Sequence, residues 1–401
     1  MNKKISLGLC ISLIIIAVAA TFAATMVVSK QIFSNIISNI SQRSQTYESV
    51  DEISKIISNY YYGSVDDQSK LNASLAEGYV NGLSEGSNIY LSSAEYSAYT
   101  AKLEGGVSGI GVETAYNYQT GQFVITYVYE GSPAEKAGLK AKDAITAIDN
   151  TAVTMSNYIS MRDLLYGSRL STVTVEYERN GETKVVEPML GFSIPSVSSR
   201  LIGNVGYIKI SGFYKNTAEE FKAAAEKLIE QGAESMIFDV RNTSDGSIDY
   251  AARTIDVIVP AISDNIAVAK DKNGNVYKKK IYTAENSSIT MPFIVLINNY
   301  TSGPAELFAC DLRDISQAQL VGTKTAGIGT MQELFPLEDG GAVLLTVALI
   351  EPRAGEAAVY DGVGIEPTVE VTLNSGDPLN IDLLAQDEDN QLSTAVNMLA
   401  A

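Results

Sequence analysis

The sequence predicts an α/β core that carries an inserted β-rich domain, preceded by a helical N-terminal region. Three observations indicate this class. Apolar strands alternate with amphipathic helices from residue 191 to about residue 371, which is typical of a sheet with crossover helices. Short β-type runs with glycine turns fill residues 103–190, and apolar residues at helical spacing mark residues 30–102. The 401 residues are enough for two or three domains.

The N-terminal segment predicts a membrane anchor. After MNKK the chain carries no charge from Ile5 to Ser29, a stretch long enough to span a bilayer as a helix. The two lysines before it would stay inside. We therefore expect residues 1–29 to be a single transmembrane helix in the cell membrane, with the bulk of the chain extracytoplasmic. Cleavage after Ala19 or Ala24 is the alternative.

Composition excludes several kinds of site. Histidine is absent, so Ser-His, Cys-His and histidine-bearing zinc sites are excluded, and we expect neither a metal nor a cofactor. Cys10 lies in the apolar N-terminal segment and Cys310 on an apolar helix face. Neither cysteine predicts a disulfide or a nucleophile. The formal net charge of −18 argues against nucleic acid as a partner.

Residues 103–190 contain the marks of a peptide-binding domain. GGVSGIGVE places glycines at 109 and 111, where a loop of unobstructed amides can hold a peptide carboxylate while the next strand pairs with the peptide. GSPAEKAGL predicts a strand followed by a short helix that begins at Pro133. The order of these motifs resembles that of a PDZ domain. The resemblance implies a peptide-binding loop made of Gly109, Ile110, Gly111 and Val112.

The segment from Met291 to Gln332 predicts an apolar strand, an Asn-Asn turn, a small-residue bend and a helix that begins near Ala305. It resembles the C-terminal processing, or tail-specific, serine peptidases. Their pattern reads roughly V-L-V-N-x-x-S-A-S-A-S-E-I-x-A, then V-G-x-x-T-x-G-K-G-x-x-Q. The two align without a gap on Asn298, Glu306, Gly322, Thr325, Gly327, Gly329 and Gln332. Similar agreement before and after this segment extends the resemblance over nearly all of the chain beyond the N-terminal segment.

The same alignment reveals departures at the catalytic positions. The family's nucleophilic serine falls on Gly303 and its general-base lysine on Ile328, and neither side chain can perform that chemistry. The glutamine that orients the lysine is retained as Gln332. Upstream, IFDVRNTSDGS resembles L-D-L-R-N-N-P-G-G, whose glycines supply oxyanion-hole donors, but Asp245 replaces the first glycine before Gly246. A carboxylate there would oppose a developing oxyanion.

These features predict a catalytically silent peptidase homologue that binds protein C-termini through its PDZ domain, as an adaptor, competitor or regulator of an active paralogue. One alternative is a working endopeptidase in which Ser302 and Lys324 replace the dyad. The second is a structural subunit of a surface complex. The resemblance also implies a homodimer formed through terminal helices. In the helical tail, residues 372–401, such a surface would use Leu392, Val396 and Leu399.

Overall fold

The structure is a computed structural model. It describes residues 21–22, 25–26, 30, 48–64, 68–83, 87–105, 107–118, 120–167, 171–260, 265–283, 289–353, 359–374, 378–384 and 386–400. The chain divides into two compact units, residues 1–72 and residues 73–401. The first unit contains a helical stretch over residues 48–60.

Short elements precede the β-rich domain in the chain. They are α1 (Gln68–Asn81), β1 (Ile89–Leu91), α2 (Ser93–Leu103) and β2 (Ser108–Gly109). Helix α2 begins with a capping box, in which Ser92 and Glu95 bond to each other's backbone N–H groups. The helix that leads into the β-rich domain therefore has its N-terminus fixed by this capping box.

The β-rich domain is a six-stranded sheet in the order β3-β4-β5-β7-β8, with β6 paired to β5. Strand β3 is at the edge and pairs only with β4 among the described residues. The core of this domain contains fully buried residues such as Ile110, Ile125 and Leu165. The elements are β3 (Val112–Asn117), β4 (Gln122–Val128), α3 (Pro133–Lys136), β5 (Ala144–Ile148), β6 (Thr151–Ala152), α4 (Tyr158–Asp163), β7 (Val175–Arg179) and β8 (Glu182–Val186).

The α/β core is built on a second six-stranded sheet, in the order β10-β11-β12-β15-β16-β19. All neighbours from β11 onward are parallel, and β12 is buried along its whole length, as expected for a sheet covered on both faces. The elements are β9 (Phe192–Ser193), β10 (Val197–Ile202), β11 (Val205–Ile210), α5 (Thr217–Glu230), β12 (Ser235–Asp239), α6 (Ile248–Ile258), β15 (Phe293–Ile297), α7 (Pro304–Ser316), β16 (Gln319–Gly322) and β19 (Val369–Glu370).

A further sheet, in the order β1-β18-β13-β14 with β17 paired to β18, packs next to this core. Its strands are β13 (Asn265–Lys270), β14 (Val276–Thr283), β17 (Thr330–Pro336) and β18 (Ala342–Pro352). A 3-10 helix (Pro378–Leu383) and α8 (Asn390–Leu399) complete the chain. The loops that follow β12, β15 and β16 leave neighbouring parallel strands at their carboxyl ends, where α/β sheets bind ligands.

The predicted cell-membrane location needs correction, and the single-pass anchor is not supported. No helix among the described residues is both long and apolar enough to cross a membrane. Most of residues 1–29, on which that prediction depended, lies outside the described residues. Leu392, Val396 and Leu399 pack against the chain's own sheet, and Val396 and Leu399 are only partly buried. A homodimer that uses them stays a prediction.

Candidate active site and peptide groove

The bend between β15 and α7 has the backbone geometry of a nucleophile elbow. Gly303 precedes the first turn of α7 with φ 59° and ψ −117°, a strained combination that elbow serines adopt at a sharp strand-to-helix turn. A Cβ built on Gly303 would meet no atom within 4 Å. The backbone therefore presents position 303 to open space, but glycine places no functional group there.

One buried carboxylate joins the elbow to the loop that follows β16. Glu306 is fully buried and accepts hydrogen bonds from the backbone N–H groups of Gly303 at 3.1 Å, Gly327 at 2.7 Å and Ile328 at 2.7 Å. It also accepts one from the hydroxyl of Thr325. The structure thus brings positions 303 and 328 together through a common partner. Ile328 is 43% exposed, so position 328 presents an apolar side chain to solvent.

The loop after β12 contains the predicted oxyanion region, and the backbone N–H of Gly246 in that loop already has a hydrogen-bond partner. Gly246 has a φ of 111° and donates its N–H to Oδ1 of Asp245 at 2.9 Å. The other oxygen of Asp245 forms an ion pair with Lys102 of α2. Burial, together with this carboxylate, raises the pKa of the neighbouring Tyr214. A carboxylate of the chain itself therefore occupies a donor that an oxyanion would need.

The predicted carboxylate loop packs tightly against the rest of the β-rich domain. Gly109, Ile110, Gly111 and Val112 are all buried. The N–H of Ile110 donates to the carbonyl of Leu165 at 3.0 Å, so a peptide carboxylate would be held by the other amides of the loop. A Cβ on Gly111 would lie 2.3 Å from the Cβ of Ser132. The close approach of these two chain segments therefore requires glycine at position 111, whether or not the loop binds a peptide.

Comparison with known proteins identifies both domains. Residues 204–371 match the family described as Peptidase family S41, and residues 106–188 match the PDZ domain. The α/β core is therefore similar to peptidase family S41, and the β-rich domain is similar to a PDZ domain. The predicted resemblance to C-terminal processing peptidases is thereby confirmed.

Proteins similar to this chain include carboxy-terminal processing proteases of Bacillus subtilis (strain 168). It is 28% identical to CtpA over 331 residues, which cover 82% of this chain and 69% of CtpA. It is 25% identical to CtpB, with 86% of this chain and 74% of CtpB covered. A CtpA-like serine protease of Staphylococcus haemolyticus (strain JCSC1435) is 27% identical, and the match covers 82% of this chain and 65% of that relative. The chain thus spans about two thirds of the length of several relatives.

A solved S41 protease structure from Bacteroides fragilis NCTC 9343 has the same fold. The TM-score is 0.54 at 20% sequence identity, with 86% of this chain and 96% of that chain covered. This likeness supports the assignment of the architecture alone.

Sequence reasoning missed one departure from the S41 pattern, at the residue after the nucleophile position. In an elbow, the N–H of that residue is an oxyanion-hole donor. Here it is Pro304, the first residue of α7, and proline has no N–H. The signal was present in the Gly-Pro dipeptide of the predicted small-residue bend. Of the two backbone donors expected at the oxyanion hole, one is therefore absent, and the other, Gly246, is bonded to Asp245.

The glutamine retained from the family pattern has a different partner in this structure. Gln332 lies on β17 next to a β-bulge and donates its side-chain N–H to the carbonyl of Ser87. That bond connects β17 to the segment just before β1. Gln332 was predicted to orient a base at position 328, but its side chain donates to Ser87 instead.

The substitute dyad is not assembled in the described part of the chain, where no hydrogen bond joins Ser302 and Lys324. Ser302 is 7% exposed, and its backbone N–H donates to the carbonyl of Thr243 at 3.0 Å. Lys324 Nζ lies 2.8 Å from Oε1 of Glu366, at the surface. An amine that is held by a carboxylate is charged and is a poor general base.

Proposed function

We propose that this S41 homologue binds the C-termini of proteins through its PDZ domain and does not cleave them. The observation that carries the proposal is Gly303, which occupies a fully formed elbow and has no side chain to attack a carbonyl. Ile328 offers no base, Pro304 offers no N–H, and Asp245 occupies the amide of Gly246. Four independent features of one site therefore oppose acyl transfer.

Peptide binding is supported by the other domain. The PDZ family match covers residues 106–188, and its edge strand β3 pairs only with β4 in the described part of the domain. An extended peptide can add to such an edge through main-chain hydrogen bonds, with its carboxylate at the glycine loop. A protein of this kind would act as an adaptor, a competitor or a regulator of an active S41 paralogue.

The test is cleavage of a denatured protein with a free C-terminus by the purified chain, followed by mass spectrometry. We expect no cleavage, because nucleophile and base are both missing. Two variants, Ser302→Ala and Lys324→Ala, address the relocated dyad. If the wild-type chain cleaves and either variant abolishes the cleavage, the proposal is overturned in favour of a working endopeptidase.

A further inference from the structure

Three tyrosines form a cluster at the end of the PDZ strand β3 that is far from the glycine loop. The rings of Tyr116 and Tyr158 stack at 4.7 Å with an interplanar angle of 25°. Tyr118 approaches the two rings edge-on at 5.3 Å and 6.1 Å, and its hydroxyl lies 2.6 Å from that of Tyr158. Because Tyr158 is the first residue of α4, the cluster joins the strand to the helix that flanks the peptide groove.

The cluster presents ring surface to solvent although its base is buried. Tyr116 is 6% exposed and belongs to the core of the domain, whereas Tyr118 is 41% exposed. Tyr158 is half-buried. Tyr116 therefore forms the floor of the cluster, and the other two rings are accessible to a ligand that runs along β3.

The register of β3 places this surface at a defined distance from a peptide C-terminus. Alternate residues of a strand share a face, so Val112, Thr114 and Tyr116 lie on one side of β3. A peptide that adds antiparallel to β3 on the side away from β4, with its last residue opposite Val112, places the fourth residue before the last opposite Tyr116. Directly opposed residues point to the same face. That side chain therefore lies on the side of the tyrosine cluster.

We propose that the three tyrosines are a subsite for a lysine or arginine side chain four residues before the C-terminus of the bound peptide. This inference rests on the proposed function. Aromatic ring faces attract cations through their quadrupole. The formal net charge of −18 favours a basic ligand over an acidic one. The resident cation one turn along α4, Arg162, is paired with Asp163 at 3.1 Å, so it is not placed on the cluster.

The experiment measures the affinity of the full chain for six-residue peptide acids that differ only at the fourth residue before the last. That residue is lysine, arginine, alanine, phenylalanine or glutamate, and binding is followed by fluorescence anisotropy. We expect lysine and arginine to bind about threefold tighter than alanine, as a partly exposed cation–π contact allows. Glutamate should bind more weakly than alanine.

Variants of the cluster distinguish a ring contact from a hydroxyl contact. Tyr118→Leu should bind the lysine and alanine peptides with equal affinity, whereas Tyr118→Phe should retain the preference for lysine. Tyr79→Leu, at a tyrosine of α1 that is 73% exposed, is the matched control and should behave as wild type.

Three outcomes overturn the inference: equal affinity for lysine and alanine peptides, tightest binding of phenylalanine, or a lysine preference that persists in Tyr118→Leu. If the acids bind and their amides do not, but the residue at this position has no effect, only the subsite is refuted. If none of the acids binds, the proposed function fails together with the subsite.

Discussion

The PDZ edge strand and the peptidase elbow differ in what each has retained. Strand β3 pairs with β4 alone among the described strands, and a glycine loop and an aromatic cluster lie at its two ends. The proposed peptide contacts there use both the backbone and the side chains. At the elbow only the backbone is retained. Gly303 keeps the strained turn and Glu306 holds it against the neighbouring loop, while the reacting groups are missing.

This difference indicates which parts of an active site a fold holds in place. The buried carboxylate of Glu306 satisfies four donors, so its loss would destabilise the structure whether or not the protein cleaves anything. A side chain at position 303 would meet no atom within 4 Å, so its loss costs no packing. The backbone geometry of the elbow can therefore persist without the catalytic side chains. Substitutions at Glu306 and at position 303 test this comparison.

Glu306→Leu should have the largest effect, because it leaves the N–H groups of Gly303, Gly327 and Ile328 without a partner inside the protein. We expect a loss of about 3–5 kcal/mol in the free energy of unfolding, measured by urea denaturation. Glu306→Gln should lose less. Glu219→Leu, at an exposed position of α5, is the control and should change little. A fully stable Glu306→Leu variant would show that the elbow is held by something else.

Restoring the chemistry tests whether the elbow is still usable. The triple variant Gly303→Ser, Ile328→Lys, Asp245→Gly still lacks the N–H at position 304. Adding Pro304→Ala should raise the cleavage rate by about 10²-fold, the usual effect of one oxyanion-hole donor. Single restorations should give almost nothing, since nucleophile and base act as a unit. Mass spectrometry of a denatured substrate is the measurement.

Equal rates for the triple and quadruple variants would refute the role assigned to Pro304. If both variants fold and bind peptide but remain inert, the cleft has changed beyond these four positions. In that case the backbone at the elbow would be less well preserved than its dihedral angles indicate.

Asp311, on the inner face of α7, should produce the smallest and most specific effect. It is fully buried, and neither carboxylate oxygen has a hydrogen bond from the described residues. Burial raises its pKa well above the usual 3.8, although the nearby backbone of Arg353 opposes the shift. The other titratable groups that interact with it are Cys310, Arg313, Asp314, Arg353 and Tyr360.

The sign of the pH effect follows from this shift. The folded state retains the proton of Asp311 to a higher pH than the unfolded state does. Its contribution to stability is therefore complete below the unfolded pKa and is lost as the pH rises through the folded pKa. Asp311→Asn should gain stability relative to wild type as the pH is raised from below 3.8 towards neutrality, because the wild-type carboxyl loses its proton more readily in the unfolded state. Asp163→Asn, an exposed PDZ position, is the control. A constant difference between Asp311→Asn and wild type would show that Asp311 does not titrate in this range.

Local sequence patterns were sufficient to predict the architecture and the departures at Gly303, Ile328 and Asp245, because each occupies a fixed place in a short motif. Contacts between distant segments could not be predicted in this way. Gln332 bonds to a residue 245 positions away and Asp245 pairs with one 143 positions away. No local periodicity records such pairs. Pro304 could have been recognised, since a missing N–H is a property of the residue itself.

The most direct test of the account is to measure binding and cleavage on one preparation with one peptide. We predict that the full chain binds a peptide acid about tenfold or more tightly than the matching amide, as expected for hydrogen bonds to a charged carboxylate. Mass spectrometry should recover the bound peptide intact after prolonged incubation. Equal affinity for acid and amide would contradict the binding half of the account, and a shortened peptide that depends on the chain would contradict the other half.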